Sequence, residues 1–150
     1  MGTWEEFERS DAALAAFGRE RIDRRVSFLA TLRPDGGPRV HPVTPWIADG
    51  HLFVRMYQTS PKVTDLRDDA RYALHSMMDN DDGVGGEFSL SGLAHEVDDP
   101  GATSTAFAAI GELVGERPLT LFELGVDSVM TTQYVGEETQ RRRWSAEPAS

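Results

Sequence analysis

The residues best suited to chemistry lie in the tetrapeptide TSPK, where a predicted strand ends and a predicted helix begins. Thr59 and Ser60 carry hydroxyls, and Lys62 carries an ammonium group. The start of a helix also presents free backbone N–H groups and the positive end of the helix dipole. Arg39 and Arg55 lie on neighbouring predicted strands, and ionised donors make the stronger hydrogen bonds to phosphate. The pattern is therefore compatible with a small-anion site, although Ser-Pro is also typical of an ordinary helix cap.

An antiparallel meander is predicted to position these residues. Alternating, β-rich segments joined by the turns RPDGG and ADG predict three strands, at about residues 26–33, 37–48 and 50–57. The second strand contains Pro38, Pro42 and Pro45. Because proline cannot donate to a ladder, we expect this strand at a sheet edge, at a bulge or beside a ligand.

The remaining elements predict a barrel. An apolar stripe in residues 3–20 predicts a helix that breaks near Ser10 and ends near Gly18. A short helix follows TSPK, a second one is expected after Asp98, and further strands are predicted in YALHSM, EFSLSGLAHEV, LFELGVDSVMTTQYVG and TQRRRWSA. Gly92 suggests a bulge or a close backbone approach. Six or seven antiparallel strands with few helices favour closure, because closure removes exposed edges.

Composition limits the classes of partner. The chain has 150 residues, no cysteine and a formal net charge of −10. A single domain over residues 1–150 is expected, with an N-terminal helical segment at 1–25 and a flexible tail at 145–150. The acidic balance disfavours nucleic acid, and no apolar run has the roughly 18 residues of a membrane helix. The N-terminus lacks a signal-peptide pattern, so the expected location is cytoplasmic. No two histidines have the HExxH spacing, so no metal site is predicted.

The order of these elements resembles the pyridoxamine 5′-phosphate oxidase-like superfamily of flavin-binding split β-barrels. The resemblance rests on DGGPRVHPV followed by SPKVTDLRDDAR and covers roughly residues 14 to 144. A typical member has asparagine in place of Asp65 and proline in place of Ala70. The resemblance implies a mainly β fold with flanking helices, a split antiparallel β-barrel. It also implies a homodimer with a flavin in each of two clefts between the subunits.

The resemblance implies roles for individual residues as well. Arg39, Ser60 and Lys62 would hold the cofactor phosphate, and the strand Arg39–Thr44 would lie beside the isoalloxazine ring. Glu87 would lie near the ring, where the oxidase proper places a glutamine, and a carboxylate there would change the local electrostatics. The implied cofactor-binding residues are Arg39, Val40, His41, Pro42, Val43, Thr44, Arg55, Met56, Tyr57, Thr59, Ser60, Lys62, Glu87 and Trp144.

The chain departs from the oxidase proper at its C-terminal end. The segment QRRRWSAEPAS contains no histidine and lacks the substrate motif R-x-H-D-R, so vitamin B6 synthesis is not predicted. The resemblance implies an FMN-dependent oxidoreductase that moves a hydride to or from a small organic substrate, with no catalytic residue identified. An F420-dependent reductase is the alternative, and a non-catalytic flavin- or haem-binding protein is a further one. A haem would need an axial ligand, for which the candidates are His41, His51, His75 and His95.

Overall fold

The N-terminal segment forms two helices. The computed structural model describes residues 2–99, 101–103, 105–106 and 119–147. Helix α1 (Trp4–Ser10) begins with a capping box between Thr3 and Glu6, and α2 (Ala12–Ile22) begins at Asp11, whose side chain accepts from Leu14 N. The predicted break near Ser10 is confirmed. The helix does not end at Gly18, because that glycine lets α2 approach the ring of Phe88: an added Cβ would lie 2.5 Å from it.

Nine strands and one further complete helix follow in the described residues. They are β1 (Ser27–Leu32), β2 (Pro38–Val43), β3 (Trp46–Ala48), β4 (His51–Tyr57), α3 (Pro61–Asp68), β5 (Arg71–Ser76), β6 (Glu87–Glu96), β7 (Leu119–Leu124), β8 (Ser128–Val135) and β9 (Glu138–Ser145). The number of strands exceeds the expected six or seven because each of two segments predicted as one strand forms two strands. The first segment is interrupted before Pro45, and the second at Gly125–Asp127. Residues 101–103 and 105–106 are helical. The inner face expected for that helix (Phe107, Ile110, Leu113 and Val114) lies outside the described residues.

The antiparallel sheet curls into the predicted split β-barrel, with β6 as its shared strand. The strand order is β2-β1-β5-β6-β7-β4-β3, and β8 pairs with both β6 and β9. The first part of β6 pairs with β8 and its last part with β7, so β6 passes between two sub-sheets. The change occurs at Gly92, where an added Cβ would lie 2.2 Å from Gly125 O. The close backbone approach predicted at Gly92 is confirmed.

Strand β2 lies at the edge of the sheet. In the described residues it pairs with β1 alone, from Ser27↔Val43 to Leu32↔Pro38. The prediction from its prolines is therefore confirmed. An edge position also leaves one row of β2 backbone groups without a ladder partner in that part of the chain, which suits a strand that lies beside a ligand.

Two apolar clusters lie on opposite faces of β4. The main core contains Leu52, Val54 and Met56 of that strand. Helix α1 contributes Trp4 and Phe7 to it, and α2 contributes Leu14 and Ile22. A smaller cluster contains Phe53, packed on Trp46 with a 5.8 Å distance between ring centroids. Because both faces of β4 are covered, the strand is rigidly held. Each large side chain that it buries contributes about 1.5–3 kcal/mol.

The close approach at Gly92 predicts a large effect of a single methyl group. Gly92→Ala should lower the free energy of unfolding by about 1–3 kcal/mol, the usual range for overpacking, because backbone and not a flexible side chain meets the new Cβ. Urea unfolding at equilibrium measures it. Gly101→Ala is the control, since its Cβ would meet nothing closer than 3.4 Å. An equal effect of both substitutions would contradict the prediction.

Candidate functional site

The start of α3 leaves polar groups available. Ser60 is the N-cap residue and Pro61 takes the first helical position, as predicted, yet the Ser60 side chain makes no capping hydrogen bond. The helix is held instead by Val63 and Leu66, which are buried in the main core. The Ser60 hydroxyl and the Lys62 backbone N–H can therefore be directed to a ligand, whereas Pro61 has no N–H and Val63 N donates to Ser60 O at 3.0 Å.

A buried carboxylate connects α3 to the edge of the sheet. Asp65, 1% exposed, accepts hydrogen bonds at the same oxygen from Arg39 Nε and from Thr31 Oγ1, each at 2.7 Å. Arg39 is 21% exposed. Its Nε makes this bond, and the two terminal guanidinium nitrogens have no partner among the described residues. Asp65 thus fixes the Arg39 side chain while leaving its fork of donors available.

Positive groups gather at this corner. Burial, and then repulsion from Arg39, lowers the pKa of Lys62. The pKa of His41 is also lowered, first by burial and then by repulsion from Lys62 and Arg39. Attraction to Asp65 has a smaller, opposite effect. Arg33 acts on His41 in the same sense as the other cations. The repulsion that lowers these pKa values would become attraction if an anion bound between the groups.

We refer to Arg39, His41, Ser60 and Lys62 as the basic corner. Lys62 is the only lysine in the sequence, in a chain of net charge −10. Sequence reasoning singled out all four residues, but it did not find Asp65 as the residue that orients Arg39. The signal was present, since a buried acid on the inner face of a short helix requires a partner.

Three other predicted site residues make contacts outside the basic corner. Arg55 lies over the ring of Trp46, 5.9 Å from its centroid, on the face of β4 opposite Met56, which is buried in the main core. Trp144 packs on Phe7 and donates from Nε1 to Ser10 Oγ at 2.8 Å, so it joins β9 to α1.

The remaining residues of that set differ in exposure. Val43 is buried, whereas Val40, Pro42, Thr44, Tyr57 and Thr59 are exposed. Their roles toward a cofactor stay predictions.

Glu87 is held by two side chains that sequence reasoning did not connect with it. His75 Nε2 lies 3.2 Å from Glu87 Oε1, and Tyr134 OH donates to Glu87 Oε2 at 2.7 Å. The hydrogen bond to Glu87 raises the pKa of Tyr134. Strand register brings the three together, because β6 pairs with β5 on one side and β8 on the other. Glu87 is thus a fixed acceptor on the face of the sheet opposite the core.

Known structures share this architecture. No protein-family model and no curated protein matches the chain. Among solved structures, a pyridoxamine 5′-phosphate oxidase-related, FMN-binding protein from Nostoc punctiforme matches with a TM-score of 0.70 and 15% identity, over 95% of this chain and 91% of that one. The chain has the same split β-barrel fold as that protein. The resemblance seen in the sequence is confirmed at the level of the fold.

The same split barrel occurs in proteins with other ligands. A structure named F420 reductase matches with a TM-score of 0.56 and 18% identity, over 74% of this chain and 94% of that one. A haem-binding protein from Mycobacterium smegmatis matches with a TM-score of 0.64 and 19% identity, over 87% of this chain. This chain spans 57% of the length of that haem-binding protein.

Two further properties follow from the described residues. No three His, Asp or Glu side chains among them are arranged to hold a metal ion. None of the helices in those ranges is long and apolar enough to cross a membrane. The cytoplasmic location expected from the sequence stays a prediction.

The Asp65 contacts predict a measurable contribution to stability. Asp65→Ala should lower the free energy of unfolding by about 2–3 kcal/mol, because it leaves the buried Thr31 hydroxyl and the Arg39 guanidinium without their acceptor. Thermal and urea unfolding test this. Asp68→Ala, on the exposed side of the same helix, is the matched control and should change stability by less than about 0.5 kcal/mol. Equal losses in the two variants would show that the pairing contributes nothing specific.

Proposed function

We propose that this chain binds a flavin or deazaflavin through its phosphate and acts as an oxidoreductase on a small organic substrate, with FMN as the first choice of cofactor. The observation that carries the proposal is the basic corner. The only lysine of a strongly acidic chain, a half-buried histidine and a fixed arginine meet there, beside an N-cap serine whose hydroxyl makes no capping bond. The mutual repulsion of these cations opposes their close approach, whereas a bound phosphate would interact favourably with each of them.

The residues present fit a phosphorylated cofactor. The two terminal nitrogens of Arg39 can donate, Lys62 adds a point charge and a backbone N–H at the start of α3, and Ser60 adds a hydroxyl. The edge strand β2 runs from this corner and could seat a planar ring along its open side. A bound flavin would supply hydride-transfer chemistry, and the protein would supply position and electrostatics.

Two alternatives use the same fold. A deazaflavin phosphate would bind the same basic corner, and the solved F420 reductase with this fold supports that possibility. Haem is a second alternative, supported by the haem-binding protein that shares this fold. Because His51 and His75 each contact a carboxylate, His41 and His95 are the more available axial ligands. In either case, binding without turnover is the non-catalytic version of the proposal.

A homodimer is part of the proposal. One face of the sheet lies opposite the main core and is formed by β1, β2, β5, β6 and β8. Across it, the register places side by side Pro42, Phe28, His75, Ser89 and Met130. We name this surface the outer face. It exposes Phe28, Val40 and Met130, which a monomer would leave in water. Glu87 with its two partners lies on the outer face, so a second copy seated there would place this acceptor between subunits.

Removing the Lys62 ammonium should weaken phosphate binding selectively. For Lys62→Ala we expect a loss of about 1.5–3 kcal/mol in FMN affinity, roughly tenfold to 150-fold, because a hydrogen bond to a charged group is lost. Riboflavin, which has no phosphate, should bind both proteins equally. Flavin fluorescence titration measures both affinities, and F420 is titrated in parallel.

The control for this test removes a different cation. Arg9→Ala, in an exposed α1 pair with Glu5, should leave FMN affinity unchanged. If neither FMN nor F420 binds the unmodified protein at micromolar concentration, the proposed function fails. If FMN binds and Lys62→Ala does not weaken it, the phosphate lies elsewhere.

A charge on the outer face should dissociate the proposed dimer. Val40→Asp is expected to shift sedimentation from dimer to monomer, because it buries a carboxylate in an apolar contact. Val84→Asp is the matched control: both valines are 62% exposed, but Val84 lies in the loop before β6. If the unmodified protein sediments as a monomer, the proposed dimer is wrong. If Val40→Asp remains a dimer, the outer face is not the interface.

A further inference from the structure

A second cavity lies on the opposite side of β4 from the main core. It has a volume of about 350 Å³, within the range of small-molecule pockets. Its apolar walls are Phe53 of β4, Val97 after β6, and Ala102 and Ala106 of the helical segment that follows. Phe53 also belongs to the smaller apolar cluster with Trp46. The cavity is separate from the basic corner, since it contains neither a lysine nor an arginine among the described lining residues.

A histidine–carboxylate pair lines the same cavity. His51 begins β4 and Glu123 lies on the neighbouring β7, where it is the register partner of Phe53. His51 Nδ1 contacts Glu123 Oε1. The Glu123 side chain is only 15% exposed. A carboxylate in such surroundings interacts more strongly with a charge than one in water does.

When the His51 ring is neutral, the pair leaves two acceptors and no donor. In the described residues nothing donates to Glu123 Oε2. If the neutral His51 ring donates from Nδ1 to Glu123, its Nε2 is an acceptor, also without a partner in those ranges. Asp49, in the turn before β4, adds a further carboxylate to the lining. A ligand that completes these bonds must bring donors, and an ammonium group brings three and no acceptor.

We infer that this cavity is a binding site for a small organic amine, with its ammonium group on Glu123 and His51 and its apolar body against Phe53 and Val97. The site goes beyond the proposed flavin function and does not depend on it. Charge-assisted hydrogen bonds to the half-buried carboxylate supply selectivity for a cation over a neutral molecule of the same shape. The apolar walls supply the remaining affinity through burial of the ligand body.

Three ligands of nearly equal shape test the inference: benzylamine, benzyl alcohol and benzoate. Each is titrated into the flavin-free full chain at fixed ionic strength, and the indole N–H resonance of Trp46, which packs on Phe53, reports binding by NMR. We expect saturable binding of benzylamine, at least about tenfold weaker binding of benzyl alcohol, and no binding of benzoate. Equal binding of benzylamine and benzyl alcohol, or no response to either, would overturn the inference.

Substitutions in the cavity test which side chains cause the preference for benzylamine over benzyl alcohol. Glu123→Gln keeps a hydrogen-bond acceptor for His51 but removes the charge, so the preference for benzylamine should disappear. Glu138→Gln, on the exposed strand β9, removes the same charge elsewhere, so this variant should retain the preference for benzylamine. Ala102→Leu narrows the cavity from its helical wall and should weaken benzylamine and benzyl alcohol alike, which provides a test if Glu123→Gln unfolds. Selectivity that survives Glu123→Gln, or binding unaffected by Ala102→Leu, would place the amine elsewhere.

Discussion

The carboxylate of Asp65 is the constraint on which the candidate cofactor site depends. It is buried on the inner side of a short helix and accepts from a threonine of β1 and an arginine of β2 at one oxygen. Without this bond, the start of α3 would be attached to the sheet by non-directional apolar contacts, because the other polar link of the helix, from Arg67 to Glu96 of β6, is exposed and lies near its C-terminal end. With it, the start of α3 and the edge strand have a fixed relation. The Arg39 guanidinium and the Lys62 ammonium are consequently held near each other despite their repulsion.

Local sequence signals predicted much of the fold. The prolines placed β2 at an edge, Ser10 and Asp11 marked the helix break, and Gly92 marked the approach of two backbones. The prolines and the glycine act through their own backbone, and Asp11 acts through a side chain that accepts from Leu14 N, three residues along the chain. The division of two predicted strands was missed because the flanking segments on both sides of each break are equally β-rich. Alternation does not show where a continuous run changes sheet partner.

Side-chain partners could be predicted less well. His75, Glu87 and Tyr134 are distant in sequence, and only the register of β5, β6 and β8 brings them together. The direction of Arg55 was equally hidden. Alternation in β4 separates Leu52, Val54 and Met56 from Arg55, but it does not show that Trp46 of the neighbouring strand contacts this arginine. Long-range pairing, which a single sequence does not encode locally, determines both arrangements.

The fold does not select the ligand. Proteins described as FMN-binding, as an F420 reductase and as haem-binding share this architecture at 15–19% identity. Function on such a widely used scaffold is decided by a few side chains. In this chain, those that distinguish the candidate cofactor site are the cations of the basic corner and the acid that orients one of them.

The presence of a single lysine has a practical consequence. Reagents that couple to primary amines can reach only the side chain of Lys62 and the chain's α-amino group. Attachment to a surface through lysine would therefore hold every molecule in one orientation, with the basic corner turned toward the support. A dye coupled to lysine would report on that corner alone.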